Sequence, residues 1–128
     1  MGSESRLAVG RRAEQQGLNY LVDQGLSYVT RNFHCRGGEI DLVMLDSRST
    51  DSCLVFVEVR FRSHNAFAAA AETIDQRKQD RIVRAAALFI ARNRRFRNVT
   101  VRFDVIAIDD DAAVQWLQDA FRPTHSNL

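Results

Sequence analysis

Acids set inside apolar β-strand sequence constrain this chain more than any other feature. The run Gly37-Gly38-Glu39-Ile40-Asp41-Leu42-Val43 is answered by Val55-Phe56-Val57-Glu58-Val59-Arg60-Phe61-Arg62. Both are rich in β-branched and aromatic residues with period-2 alternation, which marks strands. Gly37 and Gly38 open the first, and the polar stretch Ser47 to Ser52 is long enough to close a hairpin. Alternation places Glu39, Asp41 and Val43 on one face, with Ile40, Leu42 and Met44 on the other. On the second strand Phe56, Glu58, Arg60 and Arg62 oppose Val55, Val57, Val59 and Phe61. A carboxylate in so apolar a run is costly unless it is paired or holds a cation. Acids on neighbouring strands should repel, raise each other's pKa and attract a hard divalent metal.

Around this pair the chain reads as one domain over residues 6–121, with loose tails at 1–5 and 122–128. Arg6 to Gln24 has helical spacing and is ended by Gly25. Leu7, Gly10, Glu14, Leu18 and Leu21 fall on one stripe of that helix, so Glu14 should point at the sheet. The alternative is a helix-edge acid paired with Arg11. Leu26 to Phe33 reads as a strand, and Ser63 to Ala71 as a connection suited to a helix or a flap. Thr73-Ile74-Asp75-Gln76 has the form of a capping box opening a helix to about Arg94. One face of that helix carries Ile82, Val83, Ala86, Phe89 and Ile90. Arg77, Arg81, Arg84, Arg92 and Arg95 lie within roughly 80° of arc opposite, with Lys78 at the border. Asn98 to Asp109 is a further strand, and Val114 to Phe121 a short edge strand. Helices flanking a mixed sheet, in the order α-β-β-β-α-β with an extra C-terminal edge strand, is the expected α/β architecture.

The net charge is only +2, but its distribution is uneven. From Arg60 to Arg102 eleven basic residues face three acidic ones (Glu72, Asp75, Asp80), and Lys78 is the sole lysine of the chain. The stripe reads either as an ordinary solvated face or as a grip for a polyanion; a mostly unbalanced stripe is less common than Glu/Lys or Glu/Arg interleaving, which speaks for the second. No run approaches the roughly 20 apolar residues of a membrane helix, and no signal-peptide core is present, so the expectation is a cytoplasmic protein without a membrane partner. Cys35, Cys53 and the scattered His34, His64 and His125 make no zinc spacing; the thiols are expected to be reduced, with a Cys35–Cys53 disulfide left open. Arg102 and Asp104 share a strand face and read as a structural ion pair, and Trp116 and Phe121 as packing residues.

Taken together, Gly10-x-x-x-Glu14, Asn32, Gly38-Glu39-Ile40-Asp41-Leu42, Phe56-Val57-Glu58-Val59-Arg60, Lys78 and Arg102-Phe103-Asp104-Val105 resemble the YraN-like family of small bacterial proteins. The similarity runs from about Arg6 to Phe121. That family is itself described as similar to the restriction-endonuclease-like fold, the PD-(D/E)xK group that includes archaeal Holliday-junction resolvases. The resemblance implies an acid on the first helix at Glu14, a metal-binding Asp at Asp41, a second acid at Glu58 and the motif lysine at position 60. Here position 60 is Arg. A lysine can help generate hydroxide, whereas an arginine stays protonated and stabilises phosphate charge only. In some nucleases of the group a lysine on a nearby helix substitutes, and Lys78 is the natural candidate, the other reading being a plain helix-surface residue.

The implied chemistry is a Mg²⁺ or Mn²⁺ ion held by Asp41, Glu58 and the Val59 carbonyl, with Glu39 behind them. Glu14, Arg60 and Lys78 would complete a catalytic set, while Arg62 and the arginines at 77, 81, 84, 92 and 95 would grip phosphates. The expected activity is phosphodiester hydrolysis of structured or branched DNA, with room for a homodimer. The alternatives are a nucleic-acid-binding module with a degenerate site, and an interaction domain whose acids are tied to arginines.

Overall fold

The structure is a computed structural model and describes residues 5–62 and 74–123. The expected Ser63–Ala71 connection and Thr73 lie outside the described residues. Within them the order is α1 (Arg6–Asp23), β1 (Ser27–Cys35), β2 (Gly38–Asp46), β3 (Cys53–Phe61), α2 (Gln76–Arg92), a 3-10 turn (Arg94–Phe96), β4 (Thr100–Ile108) and β5 (Val114–Leu117). The strands form one sheet in the order β1-β2-β3-β4-β5. β1, β2 and β3 are antiparallel neighbours, β3 and β4 run parallel across the crossover that contains α2, and β5 returns antiparallel on the edge. This is the expected restriction-endonuclease-like arrangement, edge strand included.

Each helix covers one face. Ile82, Ala85, Ala86 and Phe89 of α2 pack on Ile40, Val43, Phe56 and Phe103. Ala13 and Leu21 of α1 pack on Leu42, Met44, Val57 and Ile106. The α2 contact is close: a Cβ on Gly38 would collide with the Arg81 carbonyl, and Ala85 Cβ stands 3.1 Å from the same point. Only glycine admits the helix so near the strand.

Several local expectations shift. Ile40 does not share a face with Leu42 and Met44; it joins Val43 beneath α2. The reason is a kink. Asn32 in β1 has φ 54, a left-handed value that asparagine tolerates better than most residues, and paired residues Arg31↔Leu42 and Phe33↔Ile40 flank it. Across the kink both strands exchange faces. Likewise, the helix expected to start from a Thr73 cap is capped by Asp75, whose Oδ1 accepts the Lys78 N–H at 2.8 Å. It ends at Arg92, where the Asn93 side chain donates to the Phe89 carbonyl at 2.8 Å, so Arg95 falls in the 3-10 turn outside the arginine stripe. Finally, α1 buries Ala13, Gly17 and Leu21, whereas Leu7 is 64% exposed. The N-terminal half of the expected stripe runs past the core.

The other end of the sheet holds a buried polar network. Asp104 is fully buried and accepts from Arg102 Nε at 2.8 Å, Trp116 Nε1 at 3.0 Å and the Asp119 N–H at 2.9 Å. Arg102 Nη1 also donates to Asp46 at 3.0 Å, and Arg48 grips Asp46 through two 2.8 Å bonds. The structural reading of Arg102 and Asp104 holds. Trp116 and Phe121 pack as expected, Phe121 stacking on Phe103 at 5.1 Å between centroids. Cys35 and Cys53 are both free thiols.

Candidate carboxylate cleft

The β2–β3 ladder ends at Leu42↔Val57. Asp41 and Glu58 are the first residues beyond that last rung, where the strands part. The Val59 N–H beyond the ladder turns instead to Asp41 Oδ2, at 2.8 Å. The Asp41 and Glu58 carboxyl groups lie close enough in this gap for each to act on the other's ionisation. Burial, and next the Asp41 charge, push Glu58 up to about 8. Burial raises Asp41 as well, against the Val59 hydrogen bond that favours its charged form. A carboxyl pair this poor in water cannot carry two charges, so it keeps a proton where a cation would otherwise balance it.

Glu14 reaches the same place from α1. It does not pair with Arg11; Asn32 Nδ2 donates to Glu14 Oε1 at 2.8 Å. Burial, then the Asp41 charge, raise its pKa. The kink residue thus performs two tasks, turning β1 and β2 and orienting the helix acid. A second bridge from β1, Arg31 Nη1 to Gln15 Oε1 at 2.7 Å, ties the same stretch of α1 down.

Lys78 arrives from the first turn of α2. Its Nζ lies 3.7 Å from Glu58 Oε1 and 3.9 Å from Glu39 Oε1. Glu39 in turn meets His34 Nδ1 at 3.3 Å. Glu14, Glu39, Asp41, Glu58, Val59 and Lys78 all line one cleft of about 460 Å³. A larger opening, of about 670 Å³ beside Cys53, Phe103 and Phe121, contains none of these carboxylates.

The remaining expected residues lie elsewhere. Arg60 follows Glu58 on β3 but does not line the cleft, and its Nε is buried with no hydrogen-bond partner among the described residues. Arg62 donates to the Phe61 carbonyl at the strand end. Arg77, Arg81 and Arg84 surround a separate depression with Gly37 and Asp80. Arg92 and Arg95 cover Phe33 and Phe96, at 6.0 and 4.5 Å from the ring centroids. In the sequence Asn32 enters only as one of the residues that carry the family resemblance, and His34 has no role. The signal for Asn32 was an αL-tolerant residue interrupting a strand; for His34 there was none, because its partner depends on strand register.

Among the described residues no three His, Cys, Asp or Glu side chains group closely enough to enclose a metal ion. The protein's offer to a cation is therefore two carboxylates sharing a proton, with the Val59 backbone beside them. Such an all-oxygen set could hold Mg²⁺ or Mn²⁺, ions that keep several waters.

Fold and cleft define a small α/β protein with a restriction-endonuclease-like sheet and a carboxylate pair at the point where its central strands separate. The chain belongs to the uncharacterised protein family UPF0102, which it matches over residues 13–108. A UPF0102 protein of Pseudomonas putida is 45% identical over 125 residues, covering 94% of this chain and 98% of its own length. One from Alcanivorax borkumensis is 44% identical over 121 residues, 91% of this chain and 94% of its own. A third, from Saccharophagus degradans, is 46% identical over 112 residues, covering 88% and 91%. No helix among the described residues is long and apolar enough to cross a membrane.

Proposed function

We propose that this protein is a divalent-metal-dependent nuclease that hydrolyses phosphodiester bonds in structured or branched DNA. The observation that carries the reading is the convergence of Glu14, Asp41, Glu58 and Lys78 on one cleft. Asp41, Glu58 and the Val59 carbonyl are the groups that would hold Mg²⁺ or Mn²⁺. When bound, such an ion supplies Lewis acidity, lowering the pKa of a water and offsetting phosphate charge. Glu14, fixed by Asn32, offers an acceptor oxygen to a water entering between α1 and β2. Lys78 gives phosphate its ammonium, taking on α2 the position that a strand lysine holds in the PD-(D/E)xK group. Arg77, Arg81 and Arg84 continue the positive surface along α2 and grip flanking phosphates without reading bases. A second copy, in the homodimer that the resemblance leaves room for, would present a second cleft to another strand. The compartment that suits this substrate is the cytoplasm.

A second reading keeps the binding and drops the turnover. It is favoured by Arg60, whose side chain cannot release a proton and stands off the cleft. One experiment separates the two. Wild type and Asp41→Ala are incubated with branched and linear DNA in Mg²⁺ or Mn²⁺, and binding is followed in parallel by anisotropy. Cleavage lost in Asp41→Ala with binding retained supports the nuclease. Binding without cleavage by either protein leaves the second reading, and absence of binding refutes both.

A further inference from the structure

The first turns of α1 face the cleft, not the core. Arg6, Leu7, Gly10 and Arg11 all line it. Leu7, Gly10 and Glu14 are spaced three and four residues apart, so they form one continuous strip leading down to the carboxylates. Leu7 is 64% exposed, the most exposed of the large apolar residues described. A Cβ placed on Gly10 would meet no atom within 4 Å, so the strip has an open notch in its middle. Arg6 and Arg11 carry no ion pair among the described residues. An apolar ridge beside an open notch, flanked by two guanidinium groups, is what a nucleobase and its neighbouring phosphates require.

We propose that this strip of α1 binds an unpaired segment of the nucleic-acid strand, with Leu7 wedged against an unstacked base and Arg6 and Arg11 holding the phosphates on either side. The inference rests on the nuclease reading and narrows its substrate class to DNA with a single-stranded tail, flap or splayed junction arm. Size supports the choice. A cleft of about 460 Å³ falls in the range of small-molecule sites, on the order of one or two nucleotides, and a paired duplex does not enter it. Chemistry supports it too, since an intact duplex presents phosphates outward and leaves an apolar ridge without a partner. Apolar wedges of this kind do their work between bases already separated or easily separated. The paired part of such a substrate is left to Arg77, Arg81 and Arg84 on α2.

The test compares a labelled blunt duplex with the same duplex bearing a single-stranded tail that contains 2-aminopurine, in metal-free buffer. Wild type should bind the tailed form roughly tenfold more tightly and brighten the 2-aminopurine. Leu7→Ala should remove both effects and leave blunt-duplex affinity unchanged. Arg6→Ala with Arg11→Ala should flatten the salt dependence of tail binding by roughly 0.7 per lost phosphate contact. Gly10→Met fills the notch. It should raise the melting temperature, since methionine is a better helix former than glycine, yet weaken tail binding several-fold; a purely structural strip would move stability alone. Equal binding of both duplexes by wild type, or unchanged tail preference in Leu7→Ala and Gly10→Met, overturns the α1 assignment and leaves the nuclease reading standing. Failure of wild type to bind either duplex overturns that reading, and this inference with it.

Discussion

Replacing Glu58 by glutamine should reshape the pH dependence of folding in a way that no bystander carboxylate would. In the native chain the Glu58 carboxyl, moved by burial and then by the Asp41 charge, holds its proton from the ordinary 4.5 up to about 8. The unfolded chain releases that proton near 4.5. Between these values the native state binds more protons than the unfolded one, so stability falls as pH rises. The contribution is fully present below pH 4.5 and fully lost above 8. At about 1.4 kcal/mol per pKa unit the loss is on the order of 5 kcal/mol, comparable to the whole stability of many small domains. Glutamine imitates the protonated form and does not titrate. Asp46, held below the usual carboxylate range by the Arg48 hydrogen bonds, loses its contribution only at lower pH and stays silent in this window.

Urea unfolding in EDTA at pH 5, 6, 7 and 8 reads the effect. Wild type and Glu58→Gln should agree within about 1 kcal/mol at pH 5, and the variant should be the more stable by several kcal/mol at pH 8. Adding Mn²⁺ at pH 8 should then stabilise wild type, by about 2.7 kcal/mol at a hundredfold excess over Kd, and leave Glu58→Gln unmoved. Parallel pH curves for the two proteins would refute the shared proton. A flat response of wild type to Mn²⁺ and Mg²⁺ would refute the cation that is proposed to replace it.

Asn32→Ala should free the Glu14 carboxyl, costing about 1–3 kcal/mol of unfolding free energy in urea and lowering any cleavage rate more than DNA affinity. Lys78→Met removes the ammonium beside Glu58 and should raise the apparent pKa of the carboxyl pair, seen as an upward shift of its ¹³C chemical-shift titration. Gly38→Ala sets a Cβ against the Arg81 carbonyl and should destabilise by about 1–3 kcal/mol, measured by thermal melting. Asp104→Ala strands Arg102, the Trp116 indole N–H and the Asp119 N–H together, so a loss of about 3–5 kcal/mol and a changed tryptophan emission are expected, with Mn²⁺ binding intact.

What was legible in the sequence followed from periodicity and residue type. Asp41 and Glu58 stood out because carboxylates rarely interrupt apolar strands, and Arg102 with Asp104 because alternation puts them on one face. Less local features were hidden. Asp75 took the cap from Thr73 because competing caps are decided by how the chain enters the helix. Leu7 looked like core because helical spacing reports a common face without saying where the sheet beneath it ends. Ile40 changed sides because a period of two assumes an unbroken strand, and the position opposite Asp41 is a left-handed asparagine.

That last error explains the site. On a regular sheet, a carboxylate pointing toward α2 and one carried by α1 would be separated by the thickness of the sheet, and Glu14 could not feel Asp41. The break at Asn32 and Asp41 removes that separation. It ends the β2–β3 ladder, frees the Val59 N–H to hold Asp41, and sends the Asn32 amide to Glu14. A strand defect, costly to β-pairing, is therefore what lets acids from opposite layers act on one another. Straightening β1 should separate them. A residue at position 32 that strongly prefers extended backbone, as in Asn32→Val, should lower the Glu14 pKa toward its ordinary value by removing Asp41 from its surroundings. Because loss of the Asn32 hydrogen bond acts in the opposite sense, raising that pKa, Asn32→Ala isolates the bond and the difference between the variants reports the kink. A Glu14 pKa that moves equally in both would mean that the helix acid and the strand acid meet without it.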